Sequence, residues 1–280
     1  MKLRKGVQLY SDIATVDEQL LVNTGTRLVA AYKGATYFED SYIPLQTWQT
    51  PSKEQLNAVT GKKPTRFDYR KDLFVGKIPK KLEATFEKLD LHSITDAYEV
   101  MPRFENNKEQ VVKINQELHA FLLHFSSTGN FKFHKITYAN PNRETMTSFY
   151  VEDAFLYLGL HIDQSRHFTI HTAHKSGNRI SINLSSETRT LVYTNLTMIQ
   201  VYNMLKDKMD LKKTPLNPDN IARHFYTHFP DYPVTKIAIK PYQFYIAPTD
   251  NFFHDGSTAG TKNIDITIIY TGVFNQIPQA

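Results

Sequence analysis

Arg179-Ile180-Ser181-Ile182-Asn183-Leu184, then the turn Ser185-Ser186-Glu187, then Thr190-Leu191-Val192-Tyr193: the period of this stretch decides the fold. Polar and apolar residues alternate, so on a strand Arg179, Ser181 and Asn183 share one face while Ile180, Ile182 and Leu184 share the other. The same reading extends downstream to strands at Val234–Ile239, Gln243–Ile246 and Ile264–Phe274. Upstream it gives a strand through Phe131, Phe133, Ile136 and Tyr138, a turn at Pro141-Asn142, and an apolar run from Phe149 to Leu160 that leads into His161. Helical spacing predicts Lys108–Phe125, with Val111, Ile114, Leu118, Phe121, Leu122 and Phe125 on one side and Gly129-Asn130 after its end. Pro79–Leu89, Asn195–Met209 and Asn217–Phe229 read as further helices.

Strands and helices do not alternate, which argues against a doubly wound sheet. A mainly β chain with flanking helices, as a β-sandwich or jelly-roll barrel, fits the succession better. Residues 1–128 read as an N-terminal region of helices and loops supporting that barrel, with Ile13–Tyr37 as strands or irregular structure and Thr50–Asp72 as a surface loop. Residues 129–280 hold the core, with a helical insert at 195–229, and the two parts form one compact unit. No internal repeat or low-complexity segment interrupts it.

The composition narrows the function. The 280 residues are 41% hydrophobic and 22% charged, which excludes disorder as the main state. Cysteine is absent, so disulfides, zinc–thiolate sites, iron–sulfur clusters and thiol nucleophiles are all excluded, and any metal must be held by His and carboxylates. The net charge is +5, but no block of like charges appears, so no nucleic-acid partner is expected. No apolar run is long enough for a membrane span and the start is not a signal peptide, so a cytoplasmic location without membrane contact is expected. No GxGxxG joins a strand to a helix and no P-loop occurs.

Among the 11 histidines, His224 and His228 lie four apart on a helix, but Phe225 stands where a zincin needs Glu. His171 and His174 read as loop residues. His161-Ile162-Asp163 differs, since residues i and i+2 of a strand project from one face and bring an imidazole and a carboxylate to one point. Such mixed N and O donors with open positions suit a non-haem Fe(II) site. Near the C-terminus, His254 follows the strand through Tyr245-Ile246-Ala247 and a turn, with Gly256 allowing close backbone approach.

With these residues the chain resembles the Fe(II)/2-oxoglutarate-dependent dioxygenases, whose double-stranded β-helix carries an HxD pair on an early core strand and a distal His on a late one. The resemblance covers roughly residues 130–275. It implies His161, Asp163 and His254 as iron ligands and catalytic residues, with 2-oxoglutarate and O2 as cosubstrates. It also implies a basic anchor for the distal carboxylate of 2-oxoglutarate. No Arg follows His254, so Arg179, 16 residues beyond Asp163, is the first choice and Lys262 the second, with Asn183 and Tyr193 adding hydrogen bonds. The implied reaction converts 2-oxoglutarate to succinate and CO2 while an amino acid, peptide or related small metabolite is oxidised. The intact Asp163 carboxylate implies hydroxylation, desaturation or ring closure rather than halogenation. Two rivals stay open: a cupin-like metalloenzyme that does not use 2-oxoglutarate, and a non-enzymatic barrel binding module. The oligomeric state is open as well.

Overall fold

The computed structural model describes residues 1–62 and 66–277. The 63–65 part of the expected 50–72 loop lies outside those residues. In the first part of the chain, strands β1 (Leu9–Ser11), β2 (Leu20–Val22), β3 (Thr26–Tyr32) and β4 (Ala35–Pro44) precede helix α1 (Lys53–Val59) and β5 (Leu73–Lys77). Helices α2 (Lys80–Glu87), α3 (Val100–Glu105) and α4 (Lys108–Leu123) follow. After these come β6 (Phe131–Ala139), β7 (Ser148–Val151), β8 (Ala154–Gly159), β9 (Asn178–Asn183) and β10 (Arg189–Tyr193). Helices α5 (Met198–Leu205) and α6 (Ile221–His228) lead to β11 (Thr235–Ile239), β12 (Gln243–Ala247), β13 (His254–Ser257) and β14 (Asp265–Gly272).

The chain is mainly β with helices outside, as the period-two patterning predicts. A six-stranded sheet runs β1-β5-β12-β9-β14-β6, and a four-stranded sheet runs β13-β10-β11-β2. Their facing sides share the apolar cluster of Leu9, Leu73, Val75, Leu191, Ile237, Tyr245 and Phe252. Alternation explains the other side of the large sheet, where Ile180, Ile182, Phe244, Ile266 and Ile268 pack beneath Leu82, Ile114, Leu118 and Phe121 of the helices. Helices α5 and α6 cover a separate cluster with Leu160, Ile162 and Phe253.

The N-terminal region, read as helices and loops apart from 13–37, supplies five strands, of which β2 and β3 lie within that 13–37 stretch. β1 pairs in parallel with β5, β5 with β12, and β2 with β11, so this region completes both main sheets. β3 and β4 form a third sheet with β8 and β7. The segment expected as a surface loop contains α1, which a capping box starts: Ser52 Oγ accepts from Gln55 N while Gln55 Oε1 accepts from Ser52 N. The apolar run 149–160 is a hairpin, turned at Glu152 and Asp153, both with positive φ.

Asp72, just ahead of β5, is buried and accepts hydrogen bonds from the backbone of Gln8 and Asp68. Burial pushes its carboxyl up to about 6. A folded-state value above the unfolded one favours the protonated fold, so this stabilisation is full below about 3.8 and is lost as pH rises through about 6. Urea midpoints of wild type and Asp72→Asn should therefore differ more in favour of wild type at pH 4 than at pH 7; a pH-independent difference refutes the assignment.

Candidate metal centre

Local backbone pairing brings the two histidines together. His161 N donates to His254 O and His254 N donates to His161 O, an isolated bridge that clamps the end of β8 to the start of β13. Gly159 precedes it with φ +69°, and a Cβ there would lie 2.4 Å from Tyr42 O, so the turn into His161 requires glycine. Asp163 is held by its own N–H, which donates to Thr249 O.

The side chains then converge. His161 Nε2 lies 3.8 Å from Asp163 Oδ1 and His254 Nε2 lies 3.4 Å from Asp163 Oδ2. One ligand atom from each of the three residues falls within 4.8 Å of the others. Each imidazole directs Nδ1 at a backbone carbonyl, His161 to Gly159 O at 2.8 Å and His254 to Phe252 O at 3.3 Å. With Nδ1 protonated and donating, Nε2 of each ring is a free lone pair facing Asp163, the tautomer a metal needs. Cis donors around one ion at ~2.1 Å are about 3 Å apart, so small side-chain adjustments suffice to form a facial set.

Asp163 is charged. Burial alone would raise its carboxyl, but the Arg179 guanidinium and the two histidines hold it well below the ordinary range. Arg179 Nη2 approaches Asp163 Oδ2 to 2.6 Å, off-axis for a hydrogen bond, so Oδ2 remains a buried oxygen without a donor. A cation between the imidazoles would satisfy it. Burial works against a charged His161, but Asp163 and Asp255 together raise it.

Asp163 and His254 border a cavity of about 280 Å³ between the sheets, lined also by Lys135, Tyr245, Arg189 and Thr267, while His161 borders a neighbouring hollow with Leu160 and Arg223. Of the residues picked from sequence, Arg179 reaches the site but is engaged by Asp163 and donates to Ser165 Oγ. Lys262 is exposed in the β13–β14 loop, where its N–H donates to Glu187. Asn183 is buried, with its amide tied to Glu187 O, Ile239 O and Ser185 N, so it organises the β9–β10 turn. Tyr193 is buried among apolar side chains against Phe252.

Two residues escaped the sequence reading. Arg189, at the first position of β10, crosses the space between the sheets, and its Nη1 donates to Thr267 Oγ1 and pairs with Asp265 at 3.2 Å. On its other edge Nε has no partner and Nη2 donates only to Met146 Sδ, at 3.6 Å. Gly256 makes room for it, since a Cβ there would lie 2.6 Å from Nη2. Asp255 accepts from Thr147 N and Oγ1 while its Oδ2 lies 3.9 Å from His161 Nδ1. The only sequence signal for either is its position, Arg189 opening a strand and Asp255 following His254.

No protein-family profile matches the sequence, and no curated protein matches it. Three solved structures resemble it. They are of the Kdo hydroxylase KdoO, described as a non-heme Fe(II) alphaketoglutarate dependent dioxygenase. The apo form is 10% identical with a TM-score of 0.38, and the complex with alphaketoglutarate and Fe(III) is 12% identical with a TM-score of 0.38. The cobalt(II) complex is 11% identical with a TM-score of 0.35; each match covers 73% of this chain and 80% of the other. Among the described residues no helix is long and apolar enough to cross a membrane.

Proposed function

We propose that this chain is an Fe(II)- and 2-oxoglutarate-dependent dioxygenase on a double-stranded β-helix, hydroxylating or desaturating an amino acid, peptide or related small metabolite. The convergence of His161, Asp163 and His254 on one point, with Asp163 and His254 lining the cavity between the sheets, carries the reading. The donor set fits the metal: two imidazoles and one carboxylate, with the cavity side left open. Bound Fe(II) would supply the oxidation of a substrate C–H bond by O2, coupled to decarboxylation of 2-oxoglutarate to succinate and CO2.

The chain's own residues do the rest. His161 and His254 present Nε2 because carbonyls hold their Nδ1 protons. Asp163 contributes the negative charge, and Arg179 keeps it ionised and aimed. The Nε/Nη2 edge of Arg189, held only by the weak acceptor Met146 Sδ, offers two parallel donors to a carboxylate inside the cavity, which makes Arg189 a better cosubstrate anchor than Arg179 or Lys262. Its Nη1 side, fixed by Asp265 and Thr267, sets the orientation of that edge in advance.

Losing a bidentate, charge-assisted pair costs about 1.5–3 kcal/mol. Arg189→Ala should therefore raise the 2-oxoglutarate KM roughly 10- to 100-fold with metal binding nearly unchanged. Arg179→Ala should instead leave the 2-oxoglutarate KM nearly unchanged, because its guanidinium is engaged by Asp163 and Ser165. The opposite pattern transfers the anchor to Arg179. Succinate release tests the enzyme class directly. Its absence in the metal-loaded protein over a broad substrate panel refutes dependence on 2-oxoglutarate, and absence of stoichiometric metal binding favours a binding module.

A further inference from the structure

A second hollow, of about 210 Å³, lies on the other side of Arg179 from the cavity between the sheets. Its floor follows from strand register. In β14, Thr271 is the Cα partner of Lys132 on β6 and of Arg179 on β9, so the three stand in one row across the sheet. Lys132 and Arg179 are thus two strand spacings apart, about 10 Å, with the Thr271 hydroxyl between them. His134, the unpaired residue at the β-bulge of β6, lines the same hollow, and Arg166, from the loop after Asp163, closes the rim.

This hollow is strongly cationic. Among the described residues no carboxylate is within ion-pair distance of Lys132 or Arg166. The one acid in the lining, Asp250, accepts from Ser165 N and Oγ. Burial, reinforced by the charges of Arg179, Lys135 and Lys132, holds His134 below its ordinary value, the response of an imidazole in a positive field.

We infer that this hollow is the docking site for an oxyanion, a carboxylate or phosphate group of the substrate, seated over Thr271 between Lys132 and Arg179 and covered by Arg166 and His134. That the bound molecule is the one oxidised rests on the dioxygenase reading; the oxyanion site itself does not. Arg179 is shared by the two hollows and touches Asp163, so the anionic group docks beside the triad. The oxidised carbon is therefore within a few bonds of the acidic group. The small volume selects a single acid group over a polymer.

The test uses the full chain, with Lys132→Ala/Arg166→Ala as the main variant because both residues are exposed and neither touches the triad. Inorganic phosphate and acetate are titrated separately into metal-free protein while the His134 imidazole NMR signals, assigned with His134→Gln, are followed. Saturable shifts at millimolar anion, weakened about tenfold in the double variant, are expected, and the tighter of the two probes names the oxyanion. No shift at His134, or equal affinity in the variant, overturns the site, and so does an oligonucleotide that displaces the probe at far lower concentration. In turnover assays, the double variant should raise KM for an acidic substrate about tenfold and leave the 2-oxoglutarate KM unchanged. Neutral amides turned over as well as their acids overturn the substrate class. If the anions bind at His134 but no acid supports succinate release, the oxyanion site stands and the dioxygenase reading fails.

Discussion

Asp163→Ala should abolish stoichiometric metal binding and turnover together while leaving the fold in place. Asp163 is the one carboxylate among the three converging residues, and both histidines face it through Nε2. Residues that only support a metal ligand typically change affinity 10–100-fold, so removal of a ligand that also carries the charge should exceed about 100-fold. Arg179 would then stand beside the imidazoles without its counter-charge and repel a divalent cation further. Asp163→Asn separates the effects, since it keeps the volume and removes the charge; it should also fail to hold Fe(II) tightly. Metal content after desalting and succinate release measure the outcome, with circular dichroism as the control for folding. A variant that binds one metal per chain at wild-type affinity would exclude Asp163 as a ligand. Under the proposed function, the wild-type product formed in excess chloride should contain oxygen or a new double bond and no chlorine, because Asp163 as a metal ligand would take the place a halide needs.

Phe244→Ala should cost about 3–5 kcal/mol, the range for emptying a fully buried aromatic site. Phe244 is fully buried at the centre of the outer face of the large sheet. Its ring lies 5.9 Å from Phe74, 5.3 Å from Phe121 and 5.3 Å from Phe125, so it joins two strands to the end of α4. Gly76 on the neighbouring β5 leaves space for it, as a Cβ there would meet the ring at 2.7 Å. At this chain length the loss corresponds to a fall in Tm of roughly 10 °C. A denaturation midpoint within about 0.5 kcal/mol of wild type, the range of surface substitutions, would show that α4 is not docked on this face.

The sequence by itself determined what depends on spacing within one segment. The period of two in 179–184 and 264–274, and the period near 3.6 in 108–125, set strand and helix and the side each buries, because side-chain direction repeats locally. For the same reason His161 and Asp163 were recognisable as a pair. Their meeting with His254 was an expectation that strand order alone could meet, through the backbone bridge of His161 to His254. Tertiary structure decided the rest. Strands as short as β1 and β2 carry no periodic signal, and they exist because β5 and β11 offer them unpaired edges. Arg179, Arg189 and Lys262 are all cations that could reach a carboxylate on paper. Only the register of β9, β10 and β14 sends Arg179 to Asp163 and Arg189 across to Asp265 and Thr267, while Lys262 stays on an exposed loop. Which cation faces a cavity is a property of residues far apart in the chain, and no local pattern encodes it.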